Sequence, residues 1–403
     1  MLALALGLPA FAAARAQAPL TGDLALWTGA SYPALSPPTT ACDDAGVCAA
    51  FWTISEDAQN AETDLLGSVV SPGGITAPAL LRHGGFISEP IAVGMQQGFA
   101  VFYAAASSSP ISAPVLQLFG EDLSPAGPPI LLQGLGAHGD TFAGVSSMVR
   151  TPDGFALLGQ SAPRRESGLY VSLAFVDTAG RLLRPPVQLS PPGLNWGFGL
   201  AVQPEGSLVA VYSSQTAIPR GCSHVFVRSI ASSGRLLLGP AVAVADTSCV
   251  QAYPTVGVAA DGTFLVAWTS ARVNSRPAAI VAERFSARAR PLGRLFRVSQ
   301  SVAALLPVVS VDPSNHYFVV WEGRDPSGAA DDIKGRWLEA DGTPITPELT
   351  LNEAQDDLDH LAQGAPQVAV AIGGFAVVTW QSAVPGNLNP VASSIARVFT
   401  TPP

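Results

Sequence analysis

Apolar positions in this chain come in short unbroken runs rather than at helical spacing. Phe264-Leu265-Val266-Ala267-Trp268 and Phe318-Val319-Val320-Trp321 are apolar at every position, which is the pattern of strands buried on both faces. Runs of this kind end on a set of anchors at Trp52, Tyr103, Gly159, Tyr212, Trp268, Trp321 and Trp380. The anchors are separated by 51, 56, 53, 56, 53 and 59 residues. Seven anchors at near-constant spacing predict an internal repeat of about 50 residues.

The order of segments within each repeat is also constant. A Pro-containing segment comes first, as in Tyr253-Pro254-Thr255-Val256, Leu306-Pro307-Val308-Val309 and Ala365-Pro366-Gln367-Val368. A tight turn follows (Asp153-Gly154, Glu205-Gly206, Asp261-Gly262 or Gly373-Gly374), made of residues that tolerate the positive φ of hairpins. Then come the anchor strand, a polar loop of variable length, a third strand such as 279–285, a second turn such as Ala179-Gly180 or Asp341-Gly342, and a fourth strand such as 295–298. Four antiparallel strands repeated seven times predict an all-β chain, a seven-bladed β-propeller. Its blades span approximately 32–80, 86–133, 141–190, 196–245, 253–300, 306–352 and 365–400 within a single domain over 19–403. The last repeat stops after its third strand, while a spare strand-like piece, 23–27, precedes the first. The ring is therefore expected to close through this N-terminal strand, which leaves no sheet edge open.

The motif Pro-x-Val, Asp-Gly, apolar-apolar-Trp, polar loop, Asp-Ile-x-Gly-Arg, Asp-Gly-Thr-Pro resembles a degenerate repeat of bacterial secreted and surface proteins. Its clearest copy here is 332–344. The resemblance implies a propeller fold and an extracytoplasmic compartment, and no activity. It is sharp in repeats five to seven and weakest in repeat three, where Gly159 holds the aromatic position and a distorted blade is expected.

Composition narrows the picture. Apolar residues make up 48 % and charged residues 13 %, which excludes a disordered chain. A net charge of −9 argues against nucleic acid or an anionic membrane surface as the main partner. Lys334 is the only lysine, against twenty arginines. The apolar run 2–14 and the small-x-small site Ala14-Arg15-Ala16 read as a signal peptide over 1–18, too short to be a permanent span. No Lys or Arg precedes the run, which leaves an upstream start or a weak signal. The expected location is secreted, periplasmic or on the cell surface. Four cysteines support export as disulfides pairing Cys42 with Cys48 and Cys222 with Cys249, because the rival metal reading finds no CxxC or His-pair spacing.

Candidate chemistry is sparse. No nucleophile elbow, phosphate-binding glycine loop or zinc-binding His motif is present. Asp261-Gly262-Thr263-Phe264 is similar to the Asp-box turn of sialidases, but their arginine trio and Tyr/Glu pair have no counterparts that can be assigned. A plain hairpin turn explains the same residues. The five histidines, His83, His138, His224, His316 and His360, are scattered over five repeats. Asp325, Asp331 and Asp332 follow the second strand of repeat six, and Asp356 and Asp357 lie in the link into repeat seven. Topology places both segments on one face, so these five carboxylates form a candidate Ca²⁺ site, oxygen-rich as that ion requires but without EF-hand spacing.

Polar loops after each second strand vary most, and loops of that kind on a rigid ring are where a ligand would be met. The expected function is a monomeric, non-catalytic scaffold that binds an extracellular protein or glycan. The alternative is a propeller-type polysaccharide hydrolase or lyase with acidic residues at the ring mouth. Two carboxylates about 5–10 Å apart in a central pocket would favour that alternative.

Overall fold

The computed structural model describes residues 19–28, 36–55, 62–106, 113–164, 168–215, 222–237, 242–244, 246, 248–271, 278–301, 303–324, 331–353, 362–383 and 393–403. The expected signal peptide lies outside them. Seven antiparallel sheets follow one another along the chain, each a blade. Blade 5 shows the plan, with Val250–Val258 as inner strand, then Phe264–Ala271, Ala279–Phe285 and the short outer strand Phe296–Arg297. The second and third strands are buried on both faces, as their unbroken apolar runs require.

Blade junctions form the core. Seven apolar clusters each join residues of adjacent blades, and the anchor aromatic of one blade packs on the blade before it. Trp321 sits among Leu265 and Ala267 of blade 5, Trp268 among Val209 and Val211 of blade 4, and Trp380 beside Phe318 and Val320 of blade 6. Across the ring seam Trp52 meets Ala371 and Val377. These rings are fully buried, and each removes a large apolar surface from water at the place where two blades must adhere.

Blade 3 lacks its anchor, and both its inner strand and its outer strand, Leu182–Gln188, shift register against a regular central pair. Pairing of Gly154–Ala162 with Tyr170–Val176 is unbroken, whereas Thr141–Thr151 shifts register twice. A Cβ on Gly159 would lie 1.9 Å from the Gly144 carbonyl oxygen and 2.7 Å from the Phe142 ring. The inner strand has moved into the space an aromatic would fill, and Phe142 packs on the blade 2/3 cluster instead.

The ring closes through the N-terminal strand. Leu24–Trp27 pairs with Ser393–Thr400, with Leu24 opposite Ala396 and Ala25 opposite Ile395. Closure is reinforced by an Arg397–Asp23 ion pair at 3.3 Å and by reciprocal bonds between Asp23 and Glu353: the Asp23 amide donates to Glu353 and the Glu353 amide to Asp23. Both disulfides form as paired in the sequence. Cys42–Cys48 joins the first two strands of blade 1 across their turn, and Cys222–Cys249 ties blade 4 to the link that enters blade 5.

Candidate functional site

The order of strands fixes what each face carries. Links between blades and the loops after second strands emerge on one face, here the loop face. The turns between first and second and between third and fourth strands emerge on the other, the turn face. Most of each variable loop except 161–168 lies outside the described residues, so the loop face is defined mainly by the links and by the central channel.

The channel is lined by the seven inner strands and encloses about 480 Å³. Several of these strands bulge at the channel mouth. Tyr253, Leu306 and Ala365 have φ of 53°, 52° and 50°, each just before a proline, and the ladder shifts register there. Proline has no amide hydrogen to give the ladder, and the bulge carries the strand past it. The freed amides find partners on the preceding blade. Leu306 donates to Thr269 Oγ1 at 3.2 Å, and the Ala365 amide donates to Glu322. Burial, with the charge of Asp331 adding to it, pushes the Glu322 carboxyl above its ordinary range.

The channel wall is otherwise apolar or hydroxyl-bearing, with Met148, Phe198, Val309, Thr39, Thr40 and Ser147 typical of it. Glu89 is the one carboxylate among its described lining residues. It is open to the solvent inside the channel, yet the surrounding protein raises its carboxyl above the ordinary range by desolvation. A pair of facing carboxylates is therefore not formed by the lining residues.

A second concavity, about 860 Å³, opens on the loop face between blades 3 and 4. His138 and Asp140 come from the link into blade 3, Arg164 from the loop after its second strand, Gln188 from the end of its outer strand, Ser190 from the link into blade 4, and Arg228 from blade 4 itself. Tyr170 forms the floor, its hydroxyl 2.9 Å from both the Ala137 carbonyl and Asp140 Oδ2. Burial, reinforced by the Asp140 carboxylate, pushes the Tyr170 phenol up to about 12, so it stays protonated as a donor. Asp140 also accepts the Arg164 amide at 3.1 Å. Arg228 Nε donates to the Leu189 carbonyl at 3.1 Å, and Gln188 Nε2 donates to Ser190 at 2.8 Å. Pro163, Pro191 and Pro192 supply apolar wall. The result is a fixed set of donors and acceptors beside flat apolar surface, which suits binding through hydroxyl groups.

This pocket is assembled from residues 138 to 228, spread over three connections and three strands, so no local spacing marks it. Its one trace in the sequence is Arg164, which falls in the variable loop 161–168.

The candidate calcium ligands are divided. Asp325, Asp356 and Asp357 lie outside the described residues. Asp331 faces Arg324 at 3.3 Å. Asp332 is buried, paired with the Lys334 ammonium and bonded by Asn352 Nδ2 at 3.3 Å. Both described carboxylates are thus already matched to a cation, and among the described residues no group of three or more His, Cys, Asp or Glu is arranged to hold a metal. The described histidines do not converge. His83 pairs with Asp64, His316 with Asp312, and His224 meets Gln251.

No protein-family model matches the chain, and no curated protein sequence matches it. Solved structures do. A protein of unknown function from Dyadobacter fermentans aligns with a TM-score of 0.54 at 14 % identity, over 94 % of this chain and 98 % of that one. The β-propeller domain of the trilobed protease of Pyrococcus furiosus gives 0.53 at 10 % identity, over 91 % and 93 %. The α-L-arabinanase of Penicillium chrysogenum, solved with arabinobiose, gives 0.52 at 11 % identity, over 93 % and 97 %. At such identities the likeness shows the fold alone, and the fold is a seven-bladed β-propeller of antiparallel blades.

Proposed function

We propose that the chain is a non-catalytic, extracytoplasmic binding propeller that takes a glycan in the pocket between blades 3 and 4. The observation that carries this reading is the state of the pocket's polar groups. Among its described lining residues the one carboxylate, Asp140, is held by Tyr170 and the Arg164 amide, so these residues offer hydrogen-bond partners and proline faces but no free acid and base pair. Two disulfides agree with an oxidising compartment, and among the described residues no helix is long and apolar enough to cross a membrane. The test is a glycan panel followed by calorimetry on the mature chain. Arg164→Ala and Gln188→Ala should each weaken the selected glycan about tenfold, the loss of one good hydrogen bond to a bound ligand. Unchanged affinity in both variants, or no glycan bound at all, would overturn the reading.

A second reading, a propeller polysaccharide hydrolase, is favoured by Glu89, whose raised carboxyl at the channel mouth is the kind of group that can act as a general acid. Arabinan, suggested by the arabinanase neighbour, is the first substrate to assay. Release of reducing sugar by the parent that Glu89→Gln abolishes would replace the binding reading with this one.

A further inference from the structure

Charge is segregated around the rim of the turn face. The turn between third and fourth strands has one backbone form in blades 2 to 6. The amide of its first residue donates to the carbonyl of its fifth, in Gly120→Ser124, Asp177→Arg181, Ala231→Arg235, Ser286→Arg290 and Glu339→Thr343. The fourth residue is left-handed in all five: Leu123, Gly180, Gly234, Ala289 and Gly342 have φ between 52° and 87°. A constant turn presents its fifth position the same way in each blade. In blades 3, 4 and 5 that position is Arg181, Arg235 and Arg290, all exposed.

Successive turns abut, so the three arginines lie along an arc. A Cβ on Gly234 of blade 4 would be 3.3 Å from the Arg184 side chain of blade 3, and one on Gly342 of blade 6 would be 3.3 Å from the Arg284 side chain of blade 5. Blade 5 adds Arg288 and Arg294, also exposed, while Ala289 between Arg288 and Arg290 is buried. No Asp or Glu occurs from 284 to 311. Other arginines are matched, Arg150 with Asp44, Arg324 with Asp331 and Arg397 with Asp23. None of the five rim arginines forms an ion pair among the described residues. Acids also stand on these blades, Asp153, Glu205 and Asp261 on the first turns nearer the channel and Asp177 at the start of Arg181's own turn, but Asp153 lies by Arg184 at 3.9 Å and none forms an ion pair with the rim arginines.

We infer that the rim of blades 3 to 5 is a docking surface for an acidic polysaccharide. Its carboxylates would pair with Arg181, Arg235 and Arg290 along the arc, and with Arg288 and Arg294 at its end. A set of like charges without partners, on a chain of net charge −9, repels itself until a polyanion neutralises it. The planar guanidinium fork matches a carboxylate in two parallel bonds. An arc is a one-dimensional track, and an extended chain can follow it. A flat anionic membrane would also meet Asp122 of blade 2 and Asp341 of blade 6, which stand exposed on the same rim. The inference does not rest on the pocket between blades 3 and 4.

The experiment measures binding of polygalacturonate, dextran and anionic phosphatidylglycerol vesicles to the mature chain in about 50 and about 500 mM salt, where screening of exposed charges differs severalfold in range. The parent should bind polygalacturonate at low salt, lose it at high salt and ignore dextran. The triple variant R181Q/R235Q/R290Q should bind about tenfold more weakly, the product of three exposed ion pairs, the double variant R288Q/R294Q about fivefold more weakly, and both should melt with the parent. Arg164→Ala should bind polygalacturonate as the parent does. No binding at low salt, binding by both variants as tight as the parent's, or capture of vesicles in place of polygalacturonate would overturn the inference.

Discussion

Lys334 is the residue whose environment changes the interpretation of its neighbours most. Its side chain is 8 % exposed, and its ammonium contacts Asp332, itself 2 % exposed, and Thr350 Oγ1 at 2.8 Å. Asp332 and Lys334 are two apart in the strand Asp331–Leu338, so they lie on one face of the sheet, a relation the sequence already contains. What it does not contain is the depth of the strand or the arrival of Asn352 and Thr350 from the outer edge, which turn an acidic loop into a buried ion pair. Arg324 likewise becomes the partner of Asp331 only through register, as its direct cross-strand neighbour. Lys334→Met should destabilise the fold by about 3–5 kcal/mol, because it leaves a buried carboxylate without compensation. The double variant with Asp332→Asn should recover most of that loss. Denaturant unfolding of the three proteins checks this, and a double variant no more stable than Lys334→Met would show that the pair is not coupled.

At the scale of elements, the blades were legible and the mouth of the channel was not. Apolar runs, Asp-Gly turns and anchor spacing place the strands because each of these acts locally. The bulges before Pro254, Pro307 and Pro366 are hinted at by the prolines, but the atoms that satisfy the freed amides belong to the preceding blade. Glu322 is one of them. Its carboxyl is raised by burial and by Asp331, against the lowering bond from the Ala365 amide. A carboxyl whose folded pKa exceeds its unfolded value contributes stability that is present below the unfolded value, about 4.5, and is lost as pH rises through the folded one. Glu322→Gln keeps an acceptor for Ala365 and cannot ionise. The melting temperature of the variant minus that of the parent should therefore increase from pH 4 to pH 7. A difference that stays constant across that interval would contradict the burial of this charge.

For the whole molecule, the spare strand-like piece at 23–27 ahead of the first repeat carried the architectural information, and Leu24–Trp27 does complete the last blade. The pocket between blades 3 and 4 had no such trace, because segments from 138 to 228 meet there only once the blades are in place. Closure is what holds every junction in register, and hence the channel, the pocket and the rim. Its most direct test is native-state hydrogen exchange on the parent and on a chain lacking residues 19–28, read at the amides of Ser393–Thr400. In the parent those facing Leu24–Trp27 should be protected as long as the central strands are. In the truncated chain the same amides should exchange freely, because that edge of the last blade is now open to water. Equal protection in both chains would mean that the N-terminal strand does not close the ring.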